Sequence, residues 1–176
     1  IMYVPDYYRG IRKIRLSDGA CLGTLANLRY VRSLTVYDNS LIASSTLGSY
    51  SYNLSTGASR RCSNQRSEFR VTFATTASNN TLYSFYNRRF YSATLSDESG
   101  TLCPKSNFRN FVDYNTYQAY GIAADPNQND VIYVMDRSYN RMSKITMNSS
   151  RSGYTLNWRK GRLSLIHISE PTRHCT

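Results

Sequence analysis

The chain has 176 residues, and its 22 Lys and Arg residues against 11 Asp and Glu residues give a formal net charge of +11. No apolar run approaches the roughly 18–20 residues that a bilayer span needs, which excludes a membrane-spanning helix within this sequence. Its 16 tyrosines accompany many Thr, Ser and Val residues, which suit pleated, half-buried strands. Stretches with a sustained helical period are lacking, so we expect an all-β protein.

The predicted strands recur along the chain as a repeated unit. Four times an apolar strand ends in Leu or Met and is followed by a turn of Ser, Asn, Asp, Thr or Gly residues, at Leu16, Leu54, Leu95 and Met147. A period of about 40 residues with units made only of strands is typical of β-propeller blades. We therefore predict a partial β-propeller of about four antiparallel blades with four strands each.

The boundaries of the blades follow from the strand pattern. Near-complete copies are expected at 31–64, 69–104 and 119–158, whereas the first copy, at 1–26, lacks its innermost strand. Apolar residues two positions before each repeated Leu or Met are predicted to face a core: Ile14, Tyr52, Ala93 and Ile145. Because a single blade buries its faces only by stacking on neighbours, we expect further blades on both sides of this piece.

The end of the chain does not follow the repeat. Residues 163–173 read LSLIHISEPTR, which resembles a conceptual translation of a transposase adapter used in sequencing libraries. We therefore expect 163–176 to be a non-native tail and 1–162 to be the propeller portion. The tail holds His167 and His174, the only histidines. Without them, 1–162 has no Ser-His-Asp or Cys-His catalytic arrangement.

Two blades have motifs similar to those of NHL-repeat propellers. The first reads IMYVPD at 1–6 and IRKIRLSDG at 11–19, and the fourth reads GIAADP at 121–126, VIYVMD at 131–136 and NRMSKI at 140–145. Blades of that family contain the segments G-I-A-x-D, L-Y-V-A-D and N-x-R-I-x-K-I, which these stretches resemble. The resemblance implies a propeller. It leaves the function open, because NHL propellers include scaffolds, RNA binders, receptor ectodomain pieces and a few lyases.

The turns between the second and third strands of the blades are rich in arginine and tyrosine. These turns emerge on one face of a propeller, where positive charge attracts RNA, acidic glycans or acidic peptides. Interleaved tyrosines suit stacking on single-stranded bases. The predicted partner-binding residues are Arg9, Arg12, Arg88, Arg89, Arg137, Arg141, Tyr8, Tyr86 and Tyr139. The alternative is local pairing within hairpins, of Asp6 with Arg9 and of Asp136 with Arg141.

The cysteines of the propeller portion are Cys21, Cys62 and Cys103. A disulfide needs Cα atoms within about 7 Å, and we expect the outer strands of neighbouring blades to lie farther apart. We therefore predict that these cysteines are unpaired with one another, with pairing to cysteines outside this sequence as the alternative. Three cysteines without histidine do not predict a metal site.

Three Asn-x-Ser/Thr triplets mark Asn53, Asn79 and Asn148 as candidate N-glycosylation sites. Such triplets also arise by chance in a chain rich in Ser and Asn. They slightly favour a secreted or cell-surface location over a cytoplasmic one.

Together these features predict a non-enzymatic interaction module that binds a protein or an anionic polymer through one loop face. No catalytic, cofactor-binding or metal-binding residue and no cofactor is expected. One alternative is an RNA- or polyanion-binding propeller of the NHL type, although no RNP, zinc-finger or P-loop motif occurs. The other is a fragment of a lyase- or lactonase-type propeller enzyme whose catalytic residues lie in further blades.

Overall fold

The computed structural model describes residues 1–62, 74–86, 89–98, 100–104, 109–111, 119–136, 139–150 and 153–161. Several predictions lie outside these residues, namely the tail at 163–176, Arg88 and Arg137, as well as the side chains of Tyr86 and Arg89. The described part contains sixteen strands and no helix, and so no helix that could cross a membrane.

The strands form four antiparallel sheets, one for each predicted blade. Blade 1 contains β1 (Met2–Asp6), β2 (Gly10–Ile14) and β3 (Cys21–Ala26). Blade 2 contains β4 (Val31–Tyr37), β5 (Ser40–Ser45), β6 (Gly48–Asn53) and β7 (Ser59–Arg61). Blade 3 contains β8 (Ala74–Ser78), β9 (Thr81–Tyr86), β10 (Arg89–Glu98), β11 (Thr101–Pro104) and β12 (Arg109–Phe111). Blade 4 contains β13 (Ala119–Ala124), β14 (Val131–Asp136), β15 (Arg141–Met147) and β16 (Tyr154–Lys160). The all-β partial propeller with an incomplete first blade is confirmed.

Because the strands of each blade run antiparallel in chain order, the connections between them lie alternately at two ends of the stack. One end, which we call the asparagine end, collects the first-to-second and third-to-fourth strand connections, with Asn39, Asn53, Asn80 and Asn148. The other, the arginine end, collects the second-to-third strand connections and those from one blade to the next, with Arg9, Arg29 and Arg61.

The repeated Leu or Met has a defined structural role at the asparagine end. The backbone N–H of Leu54, Leu95 and Met147 donates to the carbonyl oxygen of Asn39, Asn80 and Asp130, respectively, at 2.8–2.9 Å. Each acceptor lies in the turn between the first two strands of its own blade. These turns place Asp38, Asn80 and Asp130 at positive φ, which Asn and Asp tolerate better than most residues. The repeat thus ties the third strand of a blade to its first hairpin.

The first copy of the repeat behaves differently. Leu16 is 68% exposed, whereas Leu95 is 1% exposed. Blade 1 has no innermost strand and therefore lacks the hairpin turn that accepts this hydrogen bond in the other blades.

Three apolar clusters lie between successive blades and hold the stack together. Blades 1 and 2 bury Ile11, Leu28, Val31, Leu41, Ala43 and Tyr52. Blades 2 and 3 bury Ile42, Leu82, Tyr91, Ala93 and Leu95. Blades 3 and 4 bury Tyr83, Phe85, Phe90, Ile132, Val134, Ile145 and Met147. The predicted register is confirmed for the second, third and fourth blades. Ile14 is only partly buried, because it pairs with Met2 on the face of blade 1 that points away from blade 2.

The prediction that the cysteines are unpaired with one another is wrong. Cys62 and Cys103 form a disulfide with their Cα atoms 5.5 Å apart, and both residues are buried. Cys21 is a free thiol on the exposed surface of blade 1. The disulfide links blade 2 to blade 3.

The physical reason is that the outer hairpin of blade 3 leans onto blade 2 instead of diverging from it. Leu102 N–H donates to Ser40 Oγ at 3.3 Å, and Asn53 Nδ2 donates to Gly100 O at 2.8 Å, both across the two blades. The hairpin can lean because the outer strand of blade 3 is split. β11 pairs with residues 95–98 of β10, whereas β12 pairs with residues 90–92.

Candidate partner-binding site

A basic depression of about 440 Å³ lies on blade 1 and includes the arginine end of that blade. Its lining residues come from the β1–β2 turn, from β2 and β3, and from the connection to blade 2: Tyr8, Arg9, Arg12, Thr24, Asn27 and Arg29. Sequence reasoning identified Tyr8, Arg9 and Arg12. It missed Arg29, because this residue lies in an irregular connection that no strand pattern marks.

The β1–β2 turn holds Arg9 in place through its own backbone. Asp6 Oδ1 accepts the N–H groups of Tyr8 and Arg9 at 3.1 and 3.0 Å. The hydrogen bond from the Arg9 amide is the main cause that lowers the pKa of the Asp6 carboxyl. Gly10 then adopts a φ of 98°, and a Cβ at that position would collide with the carbonyl oxygen of Ala26. The predicted contact of Asp6 with Arg9 is thus made to the backbone amide.

The three arginines of the depression form no described ion pair, and the Asp6 carboxylate is the acidic group that interacts electrostatically with Arg9 and Arg12. Within the part of the chain that the structure describes, no carboxylate oxygen lies within 4.0 Å of the side-chain nitrogens of Arg9, Arg12 or Arg29. Arg9 and Arg29 are exposed, and Arg12 is half-buried. Positive side chains that line one depression without forming an ion pair create a local field that favours an anionic ligand.

The position of Arg12 is uncharged in the other blades. Counted back from the repeated Leu or Met, the equivalent residues are Tyr50, Tyr91 and Ser143. Tyr50 and Tyr91 pack in the clusters between blades, and Ser143 is buried. Tyr50 and Tyr91 face the blade before them, so Arg12 lies on the flank of blade 1 that points away from blade 2.

Tyrosine rings stand beside the basic depression. The ring centroids of Tyr7 and Tyr8 lie 5.1 Å apart and those of Tyr7 and Tyr30 lie 5.3 Å apart, both edge-to-face. The Tyr30 N–H donates to the Tyr7 carbonyl oxygen at 2.7 Å, which joins blade 1 to the connection entering blade 2. Tyr8 remains 73% exposed, so its ring is available to a partner.

Charge is segregated between the two ends of the described part. Five aspartates lie at the asparagine end: Asp18, Asp38, Asp97, Asp125 and Asp130. Only Asp6 and Asp136 lie at the arginine end among the aspartates that the structure describes. Both are occupied there, Asp6 by backbone amides and Asp136 by an arginine. The arginine end therefore presents positive charge to solvent.

Arg141 illustrates the local alternative that the sequence left open. Its Nη2 lies 3.2 Å from Asp136 Oδ2, and its side chain is only 15% exposed. The guanidinium carbon also lies 4.3 Å from the ring centroid of Tyr139. The predicted pairing of Asp136 with Arg141 is confirmed, and this arginine has less charge to offer a partner than those on blade 1.

The three candidate glycosylation sites all lie at the asparagine end. Asn53 ends β6, Asn79 lies in the β8–β9 turn and Asn148 lies in the β15–β16 turn. A second depression of about 440 Å³ also lies at that end, between the innermost strands of blades 2, 3 and 4. The charged side chain in its lining is Asp125, so the two depressions differ in sign.

Comparison with known proteins supports the fold. No protein-family model matches the chain, and no curated protein matches it. Among solved structures, a chain from a nidogen/laminin complex is similar with a TM-score of 0.63 and 12% identity, covering 89% of this chain. The N-terminal domain of Nup159 has a TM-score of 0.49 at 11% identity, over 85% of this chain and 42% of that one. The Neurospora crassa Pan2 WD40 domain has a TM-score of 0.39 at 7% identity, over 88% of this chain and 63% of that one.

The similarity to the chain in the nidogen/laminin complex agrees with the stack of β-propeller blades. The present chain spans 60% of the length of the chain in the nidogen/laminin complex. At this identity the likeness concerns the fold alone.

Proposed function

We propose that the protein is a non-enzymatic β-propeller interaction module that binds an acidic segment of a partner protein at the arginine end. The observation that carries the proposal is the basic depression, where Arg9, Arg12 and Arg29 converge without a carboxylate within ion-pair distance among the described residues. The exposed Tyr8 ring adds a surface of the kind enriched in protein interfaces.

The five aspartates at the asparagine end give the proposal a direction. An acidic partner is attracted to the arginine end and repelled from the five aspartates at the other, so it approaches in one orientation. Exposed ion pairs contribute about 0.5 kcal/mol each, so three of them supply only about tenfold in affinity. The field thus selects the partner and the orientation, while apolar contacts around Tyr8 supply further affinity.

The proposal is tested with a fluorescein-labelled Glu-rich peptide, whose binding is followed by fluorescence anisotropy over a series of salt concentrations. The variant Arg9→Glu/Arg29→Glu is expected to weaken binding by about tenfold or more, and added salt is expected to weaken binding of the unmodified protein. The matched control, Arg15→Glu/Lys144→Glu, makes the same change in net charge away from the depression. Equal losses in both variants would contradict the proposed site, because only the total charge would then matter.

A second candidate ligand is single-stranded RNA, and the tyrosine cluster is the observation that favours it. Tyr8 stands exposed beside three arginines, an arrangement that can stack a base while the guanidinium groups contact phosphates. The variant Tyr8→Ala separates the two ligands. If RNA is the ligand, this variant is expected to weaken binding of an oligouridine by about 1–3 kcal/mol, whereas binding of the Glu-rich peptide falls less.

We also propose that the blades are of the NHL type and that the protein acts in an oxidising compartment. The motifs at 1–19 and 121–145 support the first statement. The buried disulfide between Cys62 and Cys103 supports the second, because disulfides persist outside the reducing cytosol. Alkylation of free thiols in protein isolated without reductant tests the compartment, with one reactive cysteine, Cys21, expected among residues 1–162.

A further inference from the structure

We propose that Asn148 is an N-linked glycosylation site and that Asn53 and Asn79, which share its triplet motif, are unmodified in the folded protein. The proposal rests on the proposed oxidising compartment and not on the basic depression. In the reaction, Asn148 Nδ2 bonds to the first sugar carbon of an oligosaccharide linked to a polyprenyl diphosphate. The bond from that carbon to the diphosphate oxygen breaks, Nδ2 loses one proton, and the polyprenyl diphosphate leaves.

The three triplets differ in exposure. At 148–150 all three residues are exposed. In the triplet that begins at Asn53, the asparagine and the following leucine are only half-exposed. In the triplet that begins at Asn79, the hydroxyl residue Thr81 is 1% exposed. A glycan is bulky and must extend into solvent, which favours the fully exposed triplet.

Both the nitrogen and the oxygen of the Asn53 carboxamide form hydrogen bonds. Its Nδ2, the atom that would carry the sugar, donates to Gly100 O of blade 3 at 2.8 Å. Its Oδ1 accepts N–H groups of Ser55 and Thr56 and the Nδ2 of Asn39 at 2.9–3.0 Å. A sugar on this nitrogen would have to occupy the contact between blades 2 and 3.

Asn79 is also engaged across a blade boundary. Its Nδ2 donates to Asp130 Oδ2 at 3.1 Å, and the other oxygen of the same carboxylate accepts the Tyr83 hydroxyl at 2.9 Å. Asn79 and Asn80 both adopt positive φ in a two-residue hairpin. A sugar at Asn79 would stand between the first hairpins of blades 3 and 4.

Asn148 makes its described contacts within its own turn. Its Oδ1 accepts the Ser150 hydroxyl and the Gly153 N–H, both at 3.2 Å. Both of these contacts join residues of one hairpin connection rather than two blades. A sugar on this turn points to solvent at the asparagine end, away from the basic depression.

The test is expression of the full chain behind a secretion signal in mammalian cells, with glycopeptide mass spectrometry on the secreted and the retained pools. Occupancy is expected at Asn148, and none is expected at Asn53 or Asn79 in molecules that contain the Cys62–Cys103 disulfide. Asn148→Gln and Ser150→Ala are each expected to remove the glycan, and the shift in mass on enzymatic deglycosylation should disappear with it. Asn53→Gln and Asn79→Gln are the matched controls and are expected to leave the glycan in place.

The outcomes separate this inference from the proposal on which it rests. Disulfide-bonded protein without sugar at Asn148, or with sugar at Asn53 or Asn79, would overturn the glycosylation site while leaving the compartment intact. A chain that reaches the secretory pathway and forms no disulfide would instead refute the compartment argument. Because the secreted and the retained pools are both measured, the glycosylation site and the disulfide can be tested even if little protein is secreted.

Discussion

The disulfide between blades 2 and 3 provides the strongest prediction about stability. Replacing both cysteines, in Cys62→Ala/Cys103→Ala, removes a link between residues 41 positions apart in the sequence. The loop-entropy relation for a loop of this length gives a stabilisation of about 4 kcal/mol at 25 °C. Domains are typically stable by only about 5–15 kcal/mol, so this loss should be plain in an equilibrium unfolding curve.

The assay is urea denaturation followed by far-ultraviolet circular dichroism and by the fluorescence of Trp158, the only tryptophan. Trp158 lies in blade 4, so it reports whether a change between blades 2 and 3 spreads through the stack. Cys21→Ala, at the exposed free thiol, is the control and is expected to change stability by less than about 0.5 kcal/mol. A reductant should lower the stability of the unmodified protein to that of the double variant. The reasoning would be refuted if the double variant lost less than about 1 kcal/mol in its free energy of unfolding. It would also be refuted if reductant destabilised the double variant as much as the unmodified protein.

Two further predictions concern the core. Leu95→Ala is expected to cost about 2–5 kcal/mol because Leu95 is 1% exposed between blades 2 and 3, whereas Leu16→Ala, at the same repeat position, should cost under about 0.5 kcal/mol. Similar losses in the two variants, measured by urea denaturation, would contradict the stacking. Burial raises the pKa of Tyr52 from 10.0 to about 12, with a smaller contribution from Tyr50. The contribution of Tyr52 to stability is therefore complete below pH 10 and lost as the pH rises toward about 12. Tyr52→Phe should flatten this decline in pH-dependent denaturation, and an unchanged slope would contradict the burial.

The blades could be predicted from the sequence for two reasons. The strand pattern repeats about every 40 residues, and apolar and polar residues alternate within each strand. The positions of Tyr52, Ala93 and Ile145 could be assigned to a core from alternation alone, and the structure buries all three. The turns were predictable for the same local reason, since Asn and Asp at their tips tolerate positive φ.

The disulfide was not predictable, because it depends on the tilt of a hairpin. Equal spacing of Cys62 and Cys103 along the chain does not determine how far apart two outer strands lie. That distance follows from contacts such as Leu102 N–H with Ser40 Oγ, which only the packed structure shows.

The candidate site was predictable only in part. Arg9 and Arg12 belong to a hairpin that the repeat identifies, whereas Arg29 reaches the same depression from an irregular connection. The sequence also could not decide which arginines are already paired. The structure pairs Arg141 with Asp136 and Arg15 with Asp18, whereas Arg9, Arg12 and Arg29 have no described carboxylate at ion-pair distance.

The most direct test of the central claim, that the arginine end binds an acidic partner, is a nuclear magnetic resonance titration of isotope-labelled protein with the Glu-rich peptide. Amide shifts are expected to change at 7–12 and at 24–30, with an amplitude that falls as salt is added. Shifts confined to the asparagine end, around Asp18 and Asp97, would contradict the account, as would the absence of any shift at low salt.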